Sequence, residues 1–255
     1  PPRYRTVLQH HAAGALPVVD EFGVGSWWLI DESWKLFMPK GNNNSSKVTK
    51  SWRKIVKSAM RSAARQEALR KYKTANPPFN YRWEHVKAVV KTAVRLAEMT
   101  GADVEVVEAA AWLHDIAKME GGKHPRIGAR MARQILPRTD FPAEKIERVA
   151  RAIEDHQGLW RHEPLTNLES MVLWDADKLT KIGLTSVFHV TGMFMMSGRK
   201  SNIKSLIRRG RAPDWVHKTV ASMHTEPARR AAERRFAAAR QLWDELEREL
   251  HGEDL

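Results

Sequence analysis

The chain has 255 residues, 42% of them hydrophobic, enough for one sizeable core with a smaller appendage, which excludes a largely disordered chain. It contains no apolar run of about 18 residues, which excludes a helical membrane span, and no Cys, which excludes disulfides and thiolate metal sites. Lys and Arg number 43 against 30 Asp and Glu, a net charge of +13 that favours phosphate-rich ligands or nucleic acid as partners.

The charge is concentrated at the start. Residues 1–80 hold 14 Lys and Arg against 5 Asp and Glu, and a soft boundary falls at "TANPPFN" (74–80), where consecutive prolines interrupt any helix. Two domains are therefore expected, a basic Trp-rich region at 1–80 and a helical body at 81–255. The opening residues lack the apolar core of a secretory signal, and the absence of Cys suits the cytoplasm, so a cytoplasmic location is expected. Residues 17–39, rich in Val, Trp and Phe, read as short strands that turn at Asp31-Glu32-Ser33, so the appendage is expected to be α/β. Trp27, Trp28 and Trp34 suit either a small core or stacking on bases.

After the polar loop "GNNNSS" (41–46), the pattern becomes helical over about Thr49–Lys73. Trp52, Ile55, Val56, Ala59 and Ala63 share one face, and Lys50, Lys54, Lys57, Arg61 and Arg65 share another. That basic stripe is either a solvated face or a track for a phosphate backbone.

From residue 81 the chain reads as almost entirely helical, in five segments that carry the polar residues of interest. The first, about Arg82–Met99, has His85 one turn before Val89 on its apolar stripe. The second, about Val104–Met119, is apolar all round apart from Glu108, His114 and Asp115, the mark of a central buried helix. The third starts at His124-Pro125, with Pro suited to a first turn. The fourth, about Pro142–His156, ends with His156 on the stripe of Ile146, Val149 and Ile153. The fifth, about Leu168–Thr185, contains "DADKLTKIG", in which Asp175 and Asp177 lie on roughly opposite faces. A further helix at 226–250 has its apolar residues at spacings suited to packing on the body or to a dimer seam.

Four His and two Asp thus approach one apolar centre. Neutral imidazoles and carboxylates together suit a divalent cation, with Mn, Mg, Fe, Ni, Co and Zn not distinguished, at one or two ions per chain.

His85, the doublet His114-Asp115 and Asp177, separated by 28 and 61 residues, resemble the H…HD…D signature of HD-domain metal-dependent phosphohydrolases. The resemblance covers residues 81–250 and implies an all-α HD helical bundle. It implies His85, His114, Asp115 and Asp177 as metal ligands, and it selects Asp177 over Asp175, which becomes a supporting acid. "HPRIGARMARQIL" and "AIEDHQG" resemble members of the superfamily with additional His ligands, making His124 and His156 candidates for a second metal. "DADKLTKIGLTSVF" and "HKTVASMHTEPARRAAERR" (217–235) resemble the branch that includes nucleotide pyrophosphohydrolases. "QGLWRHEP", after His156, departs from the pattern and leaves His162 as either an acid or a loop residue.

The activity implied is hydrolysis of phosphoester or phosphoanhydride bonds in nucleotides, by hydroxide that a bound cation activates. Asp115 and Lys118 are its expected catalytic residues, with Lys118 either a phosphate contact or a helix-terminal cation. Lys178 and Lys181 are further cationic candidates for the site, with the solvated surface as the preferred expectation for both. Two other functions remain open: an HD-type nuclease or phosphodiesterase that holds single-stranded nucleic acid on the basic stripe, and a non-catalytic module that is stabilised by metal and binds nucleic acid.

Overall fold

The computed structural model describes residues 51–255 except 199, 201, 212 and 213, and every regular element among them is helical. The strands expected at 17–39 and the first residue of the basic stripe, Lys50, lie outside the described residues. None of the described helices is long and apolar enough to cross a membrane.

The expected all-α bundle is present. Its elements begin with α1 (Trp52–Tyr72), α2 (Tyr81–Thr100), α3 (Val104–Leu113), α4 (His124–Ile135), α5 (Ile146–Asp155) and α6 (Leu168–Leu179). They continue with α7 (Leu184–Met196), α8 (Ile203–Arg211), α9 (Asp214–Ala221) and α10 (Glu226–His251). Helix α3 is central, packed against α1, α2, α5 and α6. Val106, Val107, Ala109, Ala110, Ala111 and Leu113 on it are fully buried, as a helix apolar on all sides requires.

Side-chain caps start the helices where local chemistry allows. Asn80 accepts from the backbone N of Trp83 to open α2, Asp103 accepts from Glu105 and Val106 to open α3, and Asn167 accepts from Ser170 to open α6.

Two boundaries differ from the periodicity. Helix α3 stops at Leu113 rather than near Met119, so the His114-Asp115 doublet stands at a helix end. There the backbone tightens into bonds from Ile116 N to the Leu113 carbonyl and from Lys118 N to the Asp115 carbonyl, and a 3₁₀ stretch follows at Lys118–Lys123. The helix expected over 168–185 stops at Leu179 and restarts as α7. Gly183, at φ +90° and pressed against Arg235, makes the break, because a Cβ there would lie 2.7 Å from the Arg235 side chain. The segments α8 and α9 have no counterpart in the sequence reading.

The proline break near 74–80 separates two helices packed on the same body. Helix α1 buries Trp52, Val56, Ala59 and Met60. Trp52 donates from its backbone N to Asp140 at 2.6 Å and meets the Phe141 ring edge-on at 5.2 Å. The apolar stripe of α1 thus completes the core of α2 and α3, and the composition shift at 74–80 is not a break in packing.

Candidate metal centre

Five helix ends meet over the middle of the bundle. His85 comes from the first turns of α2, His114 and Asp115 from the end of α3, His124 from the start of α4, His156 from the end of α5, and Asp177 from α6. All six are buried. Gly128 packs α4 closely against α5: a Cβ there would lie 3.3 Å from Ile153 Cγ2, a tight contact, and at ordinary contact distance from the Leu113 and His114 carbonyls.

The four imidazoles share one hydrogen-bonding arrangement. His114 Nδ1 donates to the carbonyl of Ala111 at 2.8 Å, His124 Nδ1 to that of Gly121 at 2.5 Å, and His156 Nδ1 to that of Ile153 at 2.5 Å, each three residues back. His85 Nδ1 donates to Thr180 Oγ1 at 3.1 Å, and this hydroxyl in turn donates to the Asp177 carbonyl. A carbonyl can only accept, so Nδ1 carries the proton and Nε2 keeps its lone pair. All four Nε2 atoms then face inward as acceptors. Those of His85 and His114 are buried without a hydrogen bond among the described residues, and those of His124 and His156 face each other at 3.2 Å.

The two carboxylates organise these lone pairs. Asp115 Oδ2 is 3.5 Å from the Nε2 atoms of both His85 and His114, while Oδ1 is 3.3 Å from His124 and 3.8 Å from His156. Asp177 Oδ1 is 3.2 Å from His85 and 4.0 Å from His114. Two ligand groups result, His85-His114-Asp115 and Asp115-His124-His156, each with donor atoms close enough for one ion. Asp177 Oδ1 lies beside the two imidazoles of the first. Buried lone pairs and carboxylates with no protons to share call for a divalent cation, so the residues fit the group.

The electrostatics agree. Burial lowers the pKa of His114 and His156, keeping their rings neutral as ligation requires. Asp115 and Asp177 are held well below the usual carboxylate range: burial opposes this, but Arg82 beside the first and Lys178 and Lys181 beside the second outweigh it.

The lysines depart from expectation. Lys178 is buried rather than solvated, donates to the His156 carbonyl at 2.8 Å and pairs with Asp177. Burial pushes its pKa down to about 8. Lys181 also pairs with Asp177. Lys118, half-buried on the 3₁₀ stretch, reaches Asp115 Oδ1 at 3.1 Å and His124 Nε2 at 3.2 Å.

Asp175 turns the other way. It is fully buried and accepts from the backbone N of His224 and from the backbone N and hydroxyl of Thr225, which ties α6 to the start of α10. His162 is exposed in the loop between α5 and α6. Lys54, Lys57, Arg61 and Arg65 are exposed on α1, and none of them is among the residues that meet at the centre.

Sequence reasoning missed Arg82. It is buried on α2 one turn before His85, donates from Nε to Glu67 at 2.7 Å and pairs through Nη1 with Asp115 Oδ2. An Arg on the same helix face as His85 and Val86 was the available signal.

Residues 82–182 match the HD domain model, and this segment of the chain is an HD domain. The uncharacterized protein YpgQ of Bacillus subtilis is 27% identical over 179 residues, covering 68% of this chain and 85% of its own. Among solved structures, a predicted HD superfamily hydrolase from an uncultured Thermotogales bacterium superposes with a TM-score of 0.55 at 23% identity, covering 77% of this chain and 92% of that one. YpgQ in complex with ADP superposes at 0.53 and 23%, covering 76% and 97%. These structures share the fold.

Proposed function

We propose that this chain is a metal-dependent phosphohydrolase acting on nucleotides. The observation that carries the reading is the shared tautomer: four buried imidazoles each anchored through Nδ1, with Nε2 aimed at two carboxylates. A structural core has no use for four converging lone pairs, whereas a cation does. His85, His114, Asp115 and Asp177 would hold one ion, and Asp115, His124 and His156 a second. Bound divalent metal supplies polarisation of a phosphoryl oxygen and acidification of water.

The rest of the work falls to the chain. Lys118 is half-buried and stands beside the second group of ligands, where its ammonium can neutralise a phosphate oxygen. Lys178 and Lys181 hold the Asp177 carboxylate from two sides and keep it ionised. Thr180 fixes the His85 ring. Occupancy of the YpgQ structure by ADP supports a nucleotide as the ligand here. No observation favours the non-catalytic module.

The test is metal analysis of the purified chain together with phosphate or pyrophosphate release from a panel of nucleoside mono-, di- and triphosphates. Turnover is expected with at least one nucleotide, lost on chelation and restored by a divalent salt. A chain that retains no metal, or that turns over no nucleotide with any of Mn, Mg, Co, Ni, Fe or Zn, would overturn the proposal.

A further inference from the structure

The metal-ligand carboxylate that both groups share is not held by the HD segment alone. Asp115 lies beyond the end of α3, in a turn, where the helix no longer dictates its direction. Its Oδ2 is paired with Arg82 Nη1. Arg82 is buried, and a buried guanidinium with a single partner would leave most of its five donors unsatisfied. The second partner comes from α1: Glu67 Oε2 accepts from Arg82 Nε at 2.7 Å, and Oε1 lies 3.4 Å from Nη2. Two contacts from one carboxylate fix the plane of the guanidinium. The fixed plane in turn fixes where Nη1 points, and so the rotation of the Asp115 carboxylate.

That rotation matters because of how Asp115 divides its oxygens. Oδ2 serves His85 and His114, and Oδ1 serves His124 and His156. A carboxylate free to turn would average the two sides. We infer that Glu67 and Arg82 form a positioning relay, from α1 through α2 to Asp115, that sets the metal affinity of the centre. Neither residue needs to touch the cation. Glu67 also lies outside residues 82–182, so a helix beyond the matched domain becomes part of the centre's support.

The inference rests on the metal-binding reading above, and the experiment separates the two. Cobalt(II) chloride is titrated into the metal-stripped full chain, with affinity read by calorimetry and ligand geometry by the visible absorption of the bound ion. Glu67→Gln and Arg82→Lys are each expected to weaken cobalt binding by about 10–100-fold, the range for loss of an outer partner, and to alter the absorption spectrum. Met60→Ala is the control. It removes a fully buried α1 side chain away from the relay, and it is expected to lower the melting temperature while leaving affinity within about twofold. Equal loss of affinity in Met60→Ala and Glu67→Gln would reduce the relay to general packing of α1. Unchanged affinity and spectrum in both relay variants would overturn the positioning role while leaving the metal site standing. A parent chain that binds no cobalt or other divalent ion would overturn both.

Discussion

Helices α2 and α3 each carry two chemically different faces, separated by two residues in sequence. His85 and His114 turn into the bundle, while Trp83 and Trp112, each two residues earlier, turn toward α1. There the two indoles meet at 5.8 Å, with Lys57 over Trp112 and Arg61 over Trp83. Residues two apart on a helix point about 200° away from each other. Lys57 and Arg61, in the middle of the basic stripe, therefore lie across the helix pair from the imidazoles, and their placement gives no support to the nuclease reading, which requires the stripe to border the mouth of the centre. The lesson is about thickness: a basic helix and a metal site within the same sequence need not cooperate, because a helix between them is about 10 Å across.

The largest effect expected is on the inward face. His114→Ala or Asp177→Ala should abolish metal retention and reduce nucleotide hydrolysis by more than the roughly 100-fold that loss of an outer partner costs, with helical circular dichroism preserved. Metal content unchanged in both variants would remove the inward face from consideration. The outward face should behave in the opposite way. Trp112→Ala empties a nearly buried site and should destabilise the chain by about 3 kcal/mol, with metal content per folded chain unchanged. Loss of metal in that variant would show that the faces are coupled.

A smaller effect is expected at the start of α3, which presents both faces. Asp103 caps the helix and pairs with Lys145 at 3.2 Å and Arg148 at 3.0 Å. Burial raises its pKa, but the Lys145 ammonium, the Val106 N–H and Arg148 together hold it below 3.8. A depressed carboxylate contributes stability above its unfolded pKa and loses it as pH falls through the folded value. Asp103→Ala should thus cost about 1 kcal/mol at neutral pH, and denaturant melts should show its gap from the parent narrowing below about pH 4. A gap that widens in acid would reverse the sign assigned to Asp103.

The smallest expected effect is none. Reversing the charge of Lys54, Lys57 and Arg61 together should leave steady-state turnover of a small nucleotide within about twofold. A tenfold fall would place the stripe at the mouth of the centre and undo the two-face comparison.

Much of this was legible in order along the chain. The helical periodicity from residue 81 onward located α2 to α6, and the apolar run of α3 identified the central helix, because burial on all sides leaves its mark on every position. The inward direction of His85 and His156 followed from the stripes they share. Other features depended on contacts between distant segments. Asp175 and Asp177 are both buried carboxylates, and periodicity could not rank them. Only the return of the chain at His224 and Thr225, nearly 50 residues on, occupies the first and leaves the second to His85. Lys178 looked solvated because a lone Lys usually is. Its burial becomes tolerable only with the Asp177 carboxylate and the His156 carbonyl beside it.

The sequence by itself determined which residue types stand on which helix face, since side-chain direction along a helix is a local property of 3.6 residues per turn. It therefore contained the four imidazoles, the doublet and the all-α class. Tertiary structure alone decided that α3 ends at Leu113, that the four imidazoles of the centre carry their protons on Nδ1, and that Glu67 and Arg82 stand behind Asp115. Those features depend on which carbonyl or carboxylate arrives within hydrogen-bond reach, and such arrivals are set by how whole helices pack rather than by any local pattern.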